Sequence, residues 1–323
     1  MPQLLNTLAS EAQVRETPSR RDGIPAEFED ELRVYGCQLI QQAGILLSLP
    51  QVTMATAQVL FQRFWYVSSM KSFSIKDIGM GALFLSSKLE ESPVRLRDLI
   101  NVYDFLIQRG LHFSKHNPSP RAKQLPRQSS KMSSSSSSSS SPVPPFHYEP
   151  EQYFSSSFYD YKDALVIAEM QILKRLGFQV QVNLPYATMV NYLQTLGLAD
   201  AERHPGVAQR AWGILNDALQ TPVYALFAPH VLAAASIYLV MHTMKPQPAV
   251  LPLEPKPWWE LFDVTREELR IVCAHVLRLY DARSGLAAAV RDEWGGLADF
   301  CERAAVREWI AAQSSSSQQQ QTA

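Results

Sequence analysis

The chain has 323 residues, 46% hydrophobic and 19% charged, with a formal net charge of −1. That balance is globular and long enough for two domains, and near-neutrality leaves no overall electrostatic footprint for nucleic acid. Three widely spaced cysteines, Cys37, Cys273 and Cys301, form no CxxC pair, which argues against a zinc site or a disulfide framework and suits a reducing compartment.

Residues 1–27 contain no long apolar run, so they are expected to be a tail without a secretory signal. Hardly any segment alternates at strand period, and only 13 glycines occur, so the fold should be all-α. A first helix is predicted from about Phe28 to Leu47, ended by Pro50, and a second through MATAQVLFQRFWYV. Ser74 with Asp77 reads as a capping box for a third, the small-residue segment GMGALFLSS. Ser92-Pro93 fits an N-cap followed by proline at the first position of a fourth, whose apolar stripe includes Leu99, Tyr103 and Leu106.

Residues 113–156 break the pattern with a Pro- and Ser-rich stretch that includes the run Ser133–Ser141. Such a segment buries too little apolar surface to offset its ordering entropy, and is expected to be a disordered insertion. Its basic residues Lys115, Arg121, Lys123, Arg127 and Lys131 fit a nuclear address or a solvated linker equally well. Ser119-Pro120 and Ser141-Pro142 fit proline-directed phosphorylation. A strong helix follows at 158–178.

A second helical set then echoes the first: Thr188–Leu196, Val207–Leu219, an apolar helix Pro229–Met241, and a long helix opened by a Thr265–Glu268 capping box. The segment 231–241 is too short to span a bilayer, which needs roughly 20 residues. The order repeats rather than the letters, pointing to a duplicated unit. The C-terminal part offers one more helix, 285–312, weakened at Gly295-Gly296, and a low-complexity tail 313–323.

Two charges stand out. At 100° per residue, Lys88 shares a face with Gly81, Phe84 and Leu85, and Glu169 with Leu165, Ile172, Leu173 and Leu176. A carboxylate in an apolar stripe is costly unless it is paired. Either Lys88 and Glu169 pair with one another, or both edge an apolar docking surface and hydrogen-bond a partner's backbone. His112 and His116 have the i, i+4 spacing of a metal site but no accompanying carboxylate motif, so solvated histidines are expected and no metal. No dinucleotide, P-loop or triad pattern is present, so no cofactor and no catalytic residues are expected.

The segments ALFLSSKLEE and IAEMQILKRLGF resemble the cyclin box, and GCQLIQQAGILLSLPQVTMATAQVLFQRFWY, SSKLEESPVRLRDLINVY and WWELFDVTREELRIVCAHVLRLY resemble the cyclin L subfamily. The resemblance implies two tandem five-helix cyclin boxes, 28–179 and 180–284, with the insertion before the last helix of the first. It also implies a non-catalytic, nuclear partner of a cyclin-dependent Ser/Thr kinase in RNA polymerase II transcription or mRNA processing. Lys88 and Glu169 match the family's polar kinase anchors, with Leu85, Leu89, Leu173 and Phe178 at positions for apolar contacts. RNA polymerase II or splicing machinery would be reached only indirectly, with no membrane and no direct nucleic-acid binding. Animal members carry an Arg-Ser-rich tail, whereas SSSSQQQQTA has no such run, so transcription and splicing stay open. The mitotic docking motif (Met-Arg-Ala-Ile-Leu) is also missing. A IIB-type transcription factor would want a zinc ribbon and a basic surface, and a helical scaffold without a kinase is the plainest alternative.

Overall fold

The computed structural model describes residues 8–116, 145–150, 152, 155–246, 248–249, 251–283 and 296–321, and among these every regular element is a helix. The first unit contains α3 (Ala26–Leu46), α4 (Gln51–Trp65), α5 (Ile75–Leu89), α6 (Leu96–His116) and α7 (Ser156–Arg175). The second contains α8 (Tyr186–Thr195), α9 (Val207–Ala218), the single turn α10 (Val223–Leu226), α11 (Pro229–Thr243) and α12 (Arg266–Arg283). Two short helices, α1 (Glu11–Arg15) and α2 (Pro18–Arg21), precede them, and α13 (Arg303–Gln321) follows.

Each unit has its own core. Phe28, Ile40, Phe61, Trp65, Leu83 and Tyr103 belong to the first. The second gathers around α11, whose Val231 to Ile237 are all buried. An alanine-rich helix apolar all round suits such a position, because neighbours can cover every side. α4 serves both units, giving Leu60 and Phe64 to the first core and Ala55 and Val59 to the second. Its buried polar residues tie it to α3 on one side and to the second unit on the other. Gln58 Nε2 donates to the Cys37 carbonyl at 3.2 Å, Gln62 Nε2 to the Gln220 carbonyl at 3.4 Å, and an Arg63 guanidinium N–H to the Gln181 carbonyl at 3.1 Å. Buried amides persist where they find such partners.

Several expectations change. Part of the expected N-terminal tail is built into the first unit: Thr17 Oγ1 and Arg20 Nε both donate to the fully buried Glu29 carboxylate, at 2.7 and 2.8 Å. Ser92-Pro93 does not start a helix; α6 begins at Leu96, and Ser92 Oγ instead meets Thr53 Oγ1 at 2.7 Å. The expected insertion is shorter than 113–156 at both ends. α6 runs to His116, and Phe146 and Tyr148 pack on Phe105 because their rings find apolar surface there. Residues 117–144 lie outside the described residues, as do Ser119, Ser141 and the basic residues from Arg121 to Lys131. The C-terminal helix runs over 303–321, through most of the expected tail, while 284–295 lie outside the described residues. The Thr265–Glu268 capping box is present, with both reciprocal hydrogen bonds made.

Candidate partner-docking surface

Helices α5 and α7 approach at backbone distance. A Cβ placed on Gly81 would lie 2.9 Å from the Ala168 Cβ and 3.1 Å from the Glu169 nitrogen, so only glycine fits there. Two turns further along the same face of α5 stands Lys88. Its ammonium donates to Glu169 Oε1 at 2.6 Å and lies 3.9 Å from the centre of the Phe84 ring. The Lys88 side chain is 47% exposed and that of Glu169 17%. A pair this open contributes about 0–1 kcal/mol to stability. It orients two charged groups at a surface. Lys88 retains N–H donors and Glu169 retains Oε2 for a further partner.

Beside the pair, α7 turns an apolar face to solvent. Leu165, Ala168 and Ile172 point into the first core, whereas Val166, Ile167 and Met170 are 49%, 59% and 56% exposed. Adjacent exposed apolar side chains on one helix form the kind of surface that partner-binding patches use.

The six nominated residues divide. Lys88 and Glu169 are brought into direct contact. Leu89 (41% exposed) lies on the last turn of α5. Leu173 is half-buried against the first core. Phe178 is 69% exposed just beyond α7. It follows a glycine at positive φ, and its N–H donates to the Leu173 carbonyl at 2.8 Å, a Schellman closure that projects the ring outward. Leu85, at 5% exposure, packs in the first core. Val166, Ile167 and Met170 went unnamed, although α7 carries apolar residues over more of its circumference than one core requires.

Glu90 is tied rather than merely solvated, accepting from Thr56 Oγ1 at 2.7 Å. It edges a cleft of about 350 Å³ between the units, lined also by Val52, Val182, Leu184 and Pro229. Among the described residues no cluster of three or more His, Cys, Asp or Glu could hold a metal, and His112 packs against Phe146. Among them, too, no helix is long and apolar enough to cross a membrane.

Two successive helical units, each packed round a small-residue apolar helix, describe a cyclin fold. Residues 5–113 match the cyclin N-terminal domain. The chain is 38% identical over 278 residues to cyclin-L2 of Homo sapiens, covering 86% of this chain and 45% of that protein. Cyclin-L1 of Gallus gallus gives 38% over 278 residues, covering 86% and 44%. The chain thus spans about half the length of these curated relatives. Among solved structures, a chain of the yeast RNA Pol II CTD kinase CTDK-1 complex matches with a TM-score of 0.59 at 13% identity, over 85% of this chain and 73% of that one. A chain of the Chaetomium thermophilum CAK complex bound to ATP-gamma-S matches with a TM-score of 0.50 at 13% identity, over 88% and 78%. The chain belongs to the cyclin family, and within it is similar to cyclin L.

Proposed function

We propose that the chain is a non-catalytic regulatory subunit that binds and activates a cyclin-dependent Ser/Thr kinase through the α5–α7 face. One observation carries this: the exposed Val166, Ile167 and Met170 of α7 lie beside the Lys88–Glu169 pair, which ties α7 to α5 within the residues 5–113 that match the cyclin N-terminal domain. The cyclin-L relatives and the matched kinase complexes support a kinase partner.

The mechanism is a population shift. A kinase of this class is active only when the glutamate of its C-helix pairs with the ATP-site lysine. A rigid surface that binds the paired state alone pulls the equilibrium toward it. Moving from 1:99 to 99:1 needs roughly 5.5 kcal/mol of differential affinity. Three apolar side chains passing from water into an interface contribute about 1.5–3 kcal/mol each, against the cost of association. Lys88 and Glu169 fix the register by hydrogen-bonding the partner's backbone from opposite charges.

The finer reading is that the kinase acts in RNA polymerase II transcription or pre-mRNA processing, in the nucleus. Two similarities support it: to a chain of an RNA Pol II CTD kinase complex, and to cyclin L. Affinity capture from nuclear and cytoplasmic fractions, with the captured kinase assayed on polymerase C-terminal repeats, tests it. For the activation claim, Lys88→Ala combined with Glu169→Ala should abolish kinase activation while helicity is retained. Unchanged co-precipitation and activity would refute it.

A further inference from the structure

A second cavity, of about 380 Å³, lies where the N-terminal arm, α3 and α12 meet, and neither α5 nor α7 contributes to its lining. α1 and α2 form one wall, α3 a second and α12 a third, while the buried Gln62, Tyr66 and Thr221 form the floor. Val34, Pro222 and Leu279 give it apolar surface. The volume lies within the roughly 300–1,000 Å³ typical of small-molecule sites.

The charges of the lining are sorted by wall. On α3 they are Glu27, Asp30 and Glu31, of which Asp30 is committed to Arg20 at 3.0 Å. On α12 they are His275 and Arg278. Neither Glu27 nor Arg278 forms an ion pair among the described residues, although both line the same cavity. Burial, and then the Arg278 charge, hold His275 below the ordinary imidazole range against the pull of Asp30. The α12 wall is therefore the positive one, and the α3 wall the negative one.

The floor has hydrogen-bond donors to spare. The Arg33 guanidinium, 6% exposed, lies 4.0 Å from the centre of the Tyr66 ring. It donates from Nε to Gln62 Oε1 at 2.8 Å and from Nη2 to the Gln62 carbonyl at 3.2 Å, with Nη1 3.6 Å from Glu29 Oε1. Five N–H groups exceed what these partners take up. Beside it the Tyr66 hydroxyl is buried with no hydrogen-bond partner. Buried polar groups are normally satisfied, so a surplus of donors at a cavity floor calls for an acceptor from outside the chain.

We propose that this cavity binds a small zwitterion of the amino-acid type. Its acid group faces Arg33 and Arg278, its ammonium faces Glu27, and its apolar body packs on Val34, Pro222 and Leu279. Since α3 belongs to the first unit and α12 to the second, the ligand bridges the two units. The proposal goes beyond the kinase reading and its test contains no kinase, so either can fail alone.

Titration calorimetry on the full chain at neutral pH tests it with three probes of one shape: L-phenylalanine, 3-phenylpropionate, which lacks the amine, and phenethylamine, which lacks the acid. Phenylalanine should bind saturably, and at least ~10-fold more tightly than either of the others, because each charged wall contributes only when its partner group is present. Glu27 and Arg278 are exposed, so Glu27→Gln and Arg278→Gln should keep the fold, checked by circular dichroism. Each should weaken phenylalanine binding at least ~10-fold, whereas Arg270→Gln, on α12 but outside the cavity, should not change it. The proposal is overturned by any of three results: no saturable binding of phenylalanine, equal binding of phenylalanine and 3-phenylpropionate, or unaltered binding in the Glu27 and Arg278 variants.

Discussion

The two units share a helix order, yet their outer faces are built differently. In the first, α7 shows solvent Val166, Ile167 and Met170, and its Glu169 reaches across to Lys88 of α5. In the second, the corresponding α12 shows Arg266, Glu267, Arg270, Ala274 and Arg278, with an exposed Glu267–Arg270 pair at 2.7 Å, and Leu277 as its one large exposed apolar residue among the described ones. The small-residue helices that these cover, α5 and α11, are both buried along most of their length. The core therefore sets the fold in both units, while under the proposed kinase reading a handful of outward residues on the closing helix decides which unit docks the partner.

Breaking the apolar face should have the largest effect. Ile167→Asp with Met170→Asp should weaken kinase association by roughly 100-fold or more, measured by titration calorimetry, because two central apolar anchors are lost. Circular dichroism should show the fold retained, since both positions face solvent. Leu277→Asp on α12 should leave the affinity unchanged, and equal losses in the two variants would erase the distinction between the units.

Next in size is the contact that sets the geometry. Gly81→Val forces a side chain against the backbone of α7 and should cost about 1–3 kcal/mol by denaturant titration, with weaker kinase binding because Glu169 moves away from Lys88. Smaller again, Lys88→Ala or Glu169→Ala alone should change stability by no more than about 1 kcal/mol. Each should nevertheless lower kinase affinity about 10-fold, with coupling visible in a double-mutant cycle. The smallest change belongs to the second unit: Glu267→Gln should leave the thermal midpoint where it was at moderate salt, as its pair with Arg270 is open to solvent.

The helical period made most elements readable, and charge in an apolar stripe made Lys88 and Glu169 readable. The two readings of that pair turn out to be compatible, since the residues bond each other at a surface edge. Leu85 and Leu89 show where periodicity stops. They lie one turn apart, but α5 runs out of the core between them, and only packing reveals where. Val166, Ile167 and Met170 escaped because an exposed apolar side chain has the same letter as a buried one. Ser74 was legible as an N-cap but not as a donor to a carbonyl more than two hundred residues away. The same holds for Phe146 and Tyr148, which looked like linker until their rings were placed on Phe105.

The most direct test is a hydroxyl-radical footprint of the chain with and without the kinase recovered by affinity capture. If α5 and α7 form the docking face, the kinase should protect Met170, Ile167 and Phe178 strongly and leave Leu277 on α12 as reactive as in the free chain. Protection centred on α12, or none on α7, would contradict the account.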